Sequence, residues 1–584
     1  MTGEPYAGTI PRLLAAAADR DSAGIWVRSD QGTLTFGGAV AAVGLTADAL
    51  CAAGVRKGDL VMLTASTTTP YLLCWLALTT LGAIAVAVNP RSSAAELAGL
   101  IGQVEPKLLV TDVELSDLVA AARSDRGLAS LDEGGTTPFP SEVDVHGLVP
   151  AEWSDPAAMA DAARRVSLPD AAIVPADAAV LIPTSGTTGR SKLVIQTHRA
   201  YAMAGEGFPF WMELTAADRM LTTLPLFHIN APAYSVMGSL ACGAGLVLAE
   251  RFSASTFLDT ARRHGATEFN AIGAMLEILM RQPPRADDAD TPLRLCYTGP
   301  APERDRQLEI EQRFGLQIVV GYAMSESPYG LIWPHGSRPY GTLGTVRQHP
   351  YLGVVNEARV VDEAGAVVQP GGTGELELRN PVLTPGYWGM PAETAAVMDG
   401  DWLHTGDLVT AHEDGTYTFV SRVKEVIRRR GENLSPLEVE EVLDSHPAVL
   451  ESAVVGVPSE LSEEEVKAFI VPAAAVEPDF AALREFAAGR LAAFKVPRYW
   501  QRIDELPRTP TARVAKHRLP DGHPPGEYDA AAETAPRSHG QGNQRPAQSE
   551  AAQSGAAHPG ADDIRADDIR ANDIRANDIR ESSD

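Results

Sequence analysis

Ala179-Val180-Leu181-Ile182 runs through Pro183 into Thr184-Ser185-Gly186-Thr187-Thr188-Gly189-Arg190-Ser191-Lys192, an apolar strand that opens into a loop of hydroxyl-bearing residues and glycines. A strand feeding such a loop makes a cradle whose N–H and hydroxyl groups wrap phosphate oxygens, with Lys192 as counter-charge. A Walker A loop needs a second glycine five places after the first, followed by Lys and Ser or Thr. Ser191 stands five places after Gly186, which argues against a P-loop nucleotidase. On its own the loop could be an ordinary turn, so its neighbours carry the decision.

Around it, Leu60-Val61-Met62-Leu63, Lys107-Leu108-Leu109-Val110, Leu246-Val247-Leu248 and Gln317-Ile318-Val319-Val320 alternate with helical stretches. That alternation predicts βα units and a largely parallel sheet. The run from Tyr71 to Val88 is almost continuously apolar and long enough to imitate a membrane span. Gly82 divides it, however, into a helical half and the β-branched half Ala83-Ile84-Ala85-Val86-Ala87-Val88, predicting a helix stop and a buried strand. From about Gly353, short strands such as Glu357–Val361 and Gly374–Arg379, with Gln369-Pro370-Gly371-Gly372 between them, predict a small antiparallel subdomain.

The fold class expected is therefore α/β. A large N-terminal domain of mixed, largely parallel sheets with helices and a small β subdomain spans residues 1–423. A small mobile α+β C-terminal domain spans 424–522, with a helix from Pro436 to His446. Residues 523–584 lose apolar periodicity and are expected to be a disordered low-complexity tail. It closes on four pentads from Ala561 to Arg580, whose isoleucines rotate by ~140° per repeat around a helix and form no stripe.

The balance of 49 basic against 76 acidic side chains, net −27, opposes a nucleic-acid or anionic-membrane partner. Cys51, Cys74, Cys242 and Cys296 are scattered without a CxxC pair, so neither a zinc ribbon nor a disulfide framework is expected. Met1-Thr2-Gly3-Glu4-Pro5 lacks the basic and apolar regions of a secretory signal. A cytoplasmic protein is the simplest expectation.

The order Thr-Ser-Gly-Thr-Thr-Gly followed by a lysine resembles the phosphate loop of the adenylate-forming superfamily, which includes acyl- and aryl-CoA ligases, luciferases and nonribosomal adenylation domains. Arg190-Ser191 departs from the family's usual residue-then-proline. Further motifs follow in family order. Pro225-Leu226-Phe227-His228-Ile229-Asn230 resembles the segment bordering the acyl pocket, and Thr298-Gly299-Pro300-Ala301 the adenine-contacting turn. Gly321-Tyr322-Ala323-Met324-Ser325-Glu326 resembles the segment in which the aromatic ring stacks on adenine, the hydroxyl touches phosphate and the Glu binds Mg²⁺. Thr405-Gly406-Asp407 resembles the ribose-binding motif, where a carboxylate suits a diol because both its oxygens accept. Arg422-Val423-Lys424-Glu425 resembles the segment with the ribose-binding Arg and the domain hinge at Lys424. Gly431-Glu432-Asn433-Leu434 resembles the wall of the pantetheine tunnel.

Where the family carries its adenylation lysine, Leu506-Pro507-Arg508-Thr509-Pro510-Thr511-Ala512-Arg513-Val514-Ala515-Lys516 has Arg513, with Lys516 three places on. Arg keeps the charge but presents a planar fork on a different stem. Three readings stay open: Arg513 acts, Lys516 reaches in, or the first half-reaction is altered. The resemblance implies an ATP- and Mg²⁺-dependent ligase that forms an acyl-adenylate from a small carboxylic acid and passes it to coenzyme A. In that scheme Lys192 and the loop hold the phosphates, and Arg513 or Lys516 faces the transition state. His228, Asn230, Tyr297, Gly321 and Tyr329 would line an acyl pocket suited to an aryl or short functionalised acid. Alternatives are transfer to an amine or to a carrier-protein thiol in trans, activation of an unusual oxyanion such as nitrite, or a catalytically silent nucleotide-binding homologue.

Overall fold

The computed structural model describes residues 8–125, 140–169, 171–184, 191–299, 304–362, 364–422, 427–429, 432–434, 436–459, 464–473, 478–507, 514, 516, 519–520, 522–524 and 526–530. By contacts the chain divides into Met1–Glu533 and Thr534–Asp584. The second unit, with the pentads, lies outside the described residues.

Two large sheets dominate the first unit. One orders its strands Ser141–Asp144, Leu108–Thr111, Leu60–Thr64, Ile84–Ala87, Ala178–Thr184 and Lys192–Thr197. The first five are parallel and the last is antiparallel. Ile84–Ala87 and Leu108–Thr111 are buried throughout, as strands covered on both faces must be, so they read as unbroken apolar runs. The other sheet has nine strands, of which Ile25–Ser29, Gly245–Leu248, Arg219–Thr222, Glu268–Ile272, Leu295–Gly299 and Gln317–Met324 run parallel. Gln317–Met324 then turns back as Ser327–Ile332, so the Gly321–Glu326 motif occupies the end of a strand and its hairpin.

The apolar run after Tyr71 resolves as expected. The Thr68 hydroxyl caps the helix Thr69–Leu81, Pro70 sits in its first turn, and Gly82 ends it in the left-handed conformation at φ 69°. Every residue of that helix is buried, against protein rather than lipid. Among the described residues no helix is long and apolar enough to cross a membrane. The expected antiparallel subdomain is present: Glu357–Val361, Thr373–Arg379, Trp402–Ala411, Met398–Asp399 and Tyr417–Arg422 form one sheet.

The small C-terminal domain has its own core, centred on Val439, Leu443, Val454, Ile470, Leu483 and Trp500. Its helix runs Pro436–Asp444, two residues short of His446. Within the stretch expected to be a tail from residue 523, Tyr528–Asp529 pairs with Tyr499–Arg502 as an edge strand. Packing of Tyr528 against Phe480 and charge both hold it there. The fully buried Lys467 ammonium reaches Glu527 at 2.6 Å and the Gly522 carbonyl at 2.8 Å, and Arg498 clasps both oxygens of Asp529 at 3.0 and 3.1 Å.

Breaking a buried pair strands the remaining charge. Glu527→Gln should therefore lower the stability of the small domain by about 3 kcal/mol, and the double variant with Lys467→Met should recover most of that loss. Calorimetry of the small-domain transition checks both.

Candidate active site

The two ends of the Thr184–Lys192 segment pair as antiparallel strands. Thr184 ends one strand, Lys192 begins the next, and the two are register partners; Ser185, Gly186, Thr187, Thr188 and Gly189 lie outside the described residues. Side-chain amides from neighbouring elements fix its surroundings. Gln103 Nε2 donates to the Ser191 carbonyl at 2.9 Å, and the Gln196 amide donates to the Ser325 carbonyl. The Thr384 N–H donates to the Glu326 carbonyl at 2.7 Å. Because Ser325 and Glu326 sit in the hairpin after Met324, these bonds set the second motif against the first.

Tyr387, which the sequence reading missed, links Lys192 with Glu326. Its hydroxyl donates to Glu326 Oε1 at 2.9 Å, and the Lys192 ammonium lies 4.4 Å from its ring centre. Burial first, then the Glu326 carboxylate, push the Tyr387 hydroxyl far above its ordinary range, so it stays a donor. Nearby, the Tyr322 hydroxyl donates to Asp407 Oδ2 at 2.6 Å. The residues that the family motifs give to adenine and ribose are thus adjacent. Arg422 is the backbone register partner of Asp407; Pro300, Ala301 and Lys424 lie outside the described residues, and Gly299 ends the strand Leu295–Gly299.

A cavity of about 310 Å³ adjoins this constellation and is lined by Thr184, Ser191, His228, Asn230, Ser325 and Glu432, among others. Glu432 enters from the small domain. Its two oxygens lie 3.0 and 3.1 Å from His228 Nε2. Burial alone would lower the His228 value, but the Glu432 carboxylate outweighs it and holds the imidazole above 6.5. Burial would likewise raise Glu432, yet His228, Lys495 and Arg91 hold it below 4.5. Beside this pair, Lys495 Nζ bridges Glu96 Oε1 at 2.8 Å and Glu438 Oε1 at 2.7 Å. Lys495 was not singled out from sequence, although a lone lysine inside Ala492-Ala493-Phe494-Lys495-Val496-Pro497 is the kind of buried charge that must find partners.

Two expected pocket tyrosines are placed elsewhere. Tyr297 and Tyr329 are buried in the core, outside the cavity lining. The Tyr297 hydroxyl accepts from Arg347, and the Tyr329 hydroxyl donates to the Met203 carbonyl at 2.8 Å. Arg347 is fully buried and also donates to the Tyr234 hydroxyl at 2.7 Å and the Leu331 carbonyl at 3.0 Å. Gly321 packs on that cage, where a Cβ would come within 2.5 Å of the Tyr297 ring and 2.6 Å of the guanidinium. Its need for glycine is steric. Gly431 and Arg513 lie outside the described residues. Lys516 donates to the Val454 carbonyl at 3.0 Å and pairs with Glu440 at 2.6 Å.

Residues 14–388 match the model of the AMP-binding enzyme family, and residues 438–513 match that of the AMP-binding enzyme C-terminal domain. The chain belongs to the AMP-binding enzyme family. Among curated members of that family, crotonobetaine/carnitine–CoA ligase of Salmonella choleraesuis strain SC-B67 is 31% identical over 489 residues, 81% of this chain and 90% of that one. Of solved AMP-binding structures, a double mutant of o-succinylbenzoate CoA synthetase from Bacillus subtilis superposes with a TM-score of 0.73 at 25% identity, covering 87% of this chain and 98% of that one. An amide bond synthetase from Marinactinospora thermotolerans superposes at 0.71 and 25%, covering 86% and 98%.

The His228–Glu432 pair is complete between the ordinary values of 4.5 and 6.5. It is lost as Glu432 protonates below its lowered value and as His228 deprotonates above its raised one. Hydrogen exchange in 227–230 and 432–434, corrected for the intrinsic rate, should therefore rise from pH 6 to pH 9 in the wild type. Glu432→Gln should show the fast exchange at every pH.

Proposed function

We propose that this acid–thiol ligase activates an aryl or short functionalised carboxylic acid with ATP and passes the acyl group to coenzyme A. In the first step a carboxylate oxygen bonds to the α-phosphorus and the bond to pyrophosphate breaks. In the second the thiol sulfur bonds to the acyl carbon, AMP leaves with its phosphate oxygen, and the thiol proton is released. The observation that carries this reading is the shared cavity, in which both ends of the phosphate loop, the Ser325 hairpin and the small-domain residue Glu432 meet.

Lys192 and the loop hydroxyls bind the phosphates, Tyr322 and Asp407 take adenine and ribose, and Arg422 supports the ribose. Among the described residues no cluster of three or more His, Cys, Asp or Glu could hold a metal. A single carboxylate, Glu326, fits Mg²⁺, which keeps water and phosphate ligands instead of an all-protein cage. When bound there, the cation supplies charge neutralisation on the phosphates. The large domain is assigned residues 1–423 and the small domain 424–522, pivoting at Lys424, so that Gly431 and Glu432 enter the cavity for the thiol step.

Of the two candidate small-domain cations, the reading favours Arg513. Both described partners of Lys516, Glu440 and the Val454 carbonyl, belong to the small domain, so they travel with it through any rotation. Arg513 then stabilises charge as carboxylate and α-phosphate approach. Arg513→Ala should lower ATP–pyrophosphate exchange by roughly a hundredfold while leaving thioester formation from a supplied acyl-adenylate within about threefold, and Lys516→Ala should not reproduce that split. The overall reading is tested by AMP and pyrophosphate release across a panel of acids, with and without coenzyme A, and mass detection of thioesters. A coenzyme A-dependent thioester is expected; pyrophosphate without thioester would transfer the assignment to an amine or carrier-protein acceptor.

A further inference from the structure

We propose that the cavity around Asn230 rejects a second carboxylate, and that Asn230 selects acids whose body carries a hydrogen-bond acceptor, such as a carbonyl or ether oxygen. The inference rests on the acid–thiol ligase reading and names the substrate class at that site.

The charge inventory of the cavity supplies the first half. Among the described lining residues only Glu96, His228, Glu432 and Lys495 are charged. In this arrangement of the domains both cations are committed, His228 to Glu432 and Lys495 to Glu96 and Glu438; with Glu432 withdrawn, burial favours the neutral imidazole. Among the described lining residues a second carboxylate on the substrate would therefore find no spare cation, and an unpaired charge in such a site is strongly disfavoured. Here Leu224, Phe227, Ile272 and Met324 line the same space with apolar surface.

Asn230 supplies the second half. It immediately precedes the helical segment Ala231–Val236, where an Asn usually caps the backbone, yet its side chain makes no capping bond. It is held sideways instead. Asn270, fully buried on the strand Glu268–Ile272, donates through Nδ2 to Asn230 Oδ1 at 2.7 Å and to Ser235 Oγ at 3.3 Å. Asn230 lines the cavity, and while Oδ1 accepts from Asn270 its amide N–H₂ has no acceptor among the described residues and is left for a ligand. A donor fixed in an apolar wall discriminates because it stays unpaired beside an acid that lacks an acceptor.

The test uses the full chain with ATP, Mg²⁺ and coenzyme A on two matched series. One comprises benzoate, its methoxy and amino isomers and the benzenedicarboxylates; the other pentanoate, 4-oxopentanoate and glutarate. In at least one series, kcat/KM for the acceptor-bearing acid should exceed that of its uncharged relatives about tenfold and that of every dicarboxylate at least a hundredfold. Asn230→Leu should bring the ratio of acceptor-bearing to parent acid close to one. The isosteric Asn230→Asp should reverse the order of methoxy and amino acids. A dicarboxylate as the best substrate, a wild-type preference for the amino acid, or an unchanged ratio in Asn230→Leu overturns the proposal while leaving the ligase reading intact. Absence of AMP-coupled thioester with every acid overturns both.

Discussion

The ammonium of Lys495 is shared between carboxylates from the two sides of the cavity, Glu96 of the large domain and Glu438 of the small one. Glu96 also closes the capping box of the helix Ala94–Val104 with Ser93, whose hydroxyl in turn donates to the Arg490 carbonyl at 2.7 Å. One helix start thus carries both a local cap and the junction between domains. Burial would depress the Lys495 value, but the two carboxylates raise it above the ordinary 10.5, so the bridge stays charged. The cavity wall, the position of Glu432 and its contact with His228 all presuppose this bridge.

What the sequence made legible was local or ordered along the chain. Gly82 as a helix stop, the buried parallel strands and the strand that leads into Thr184 follow from residue type over a few positions. The motif sequence from Thr184 to Arg422 placed Thr184, Lys192, Tyr322, Ser325, Glu326 and Asp407 near one another. The cavity wall was harder to read, because its decisive contacts join distant positions: Lys495 and Glu96 are 399 residues apart, and Asn270 meets Asn230 across the strand-to-helix connection. Tyr297 and Tyr329 were misplaced for a similar reason. An aromatic with a hydroxyl suits a pocket or a core equally well, and here the buried guanidinium of Arg347 drew Tyr297 into the core.

The same long-range character explains the C-terminal extension. Composition alone marks everything after Pro520 as unable to bury apolar surface, yet Tyr528 packs against Phe480 at the edge of the small-domain core and Ala530 is buried. Lys467 at the centre of a sheet also demands a counter-charge, and Glu527 supplies it. A buried cation in one segment can therefore help to order another, and the partner is invisible until the two are seen side by side.

The wholly buried helix Thr69–Leu81 also bears on how the protein is made. Trp75 packs edge-on against Tyr201, with ring centres 5.3 Å apart, and that partner is synthesised long after the helix. At ribosomal speeds the apolar segment waits on the order of ten seconds for its cover. Until then nascent chains expose a long greasy stretch, so the yield of native enzyme depends on chaperone capacity and translation speed as well as on the stability of the finished fold.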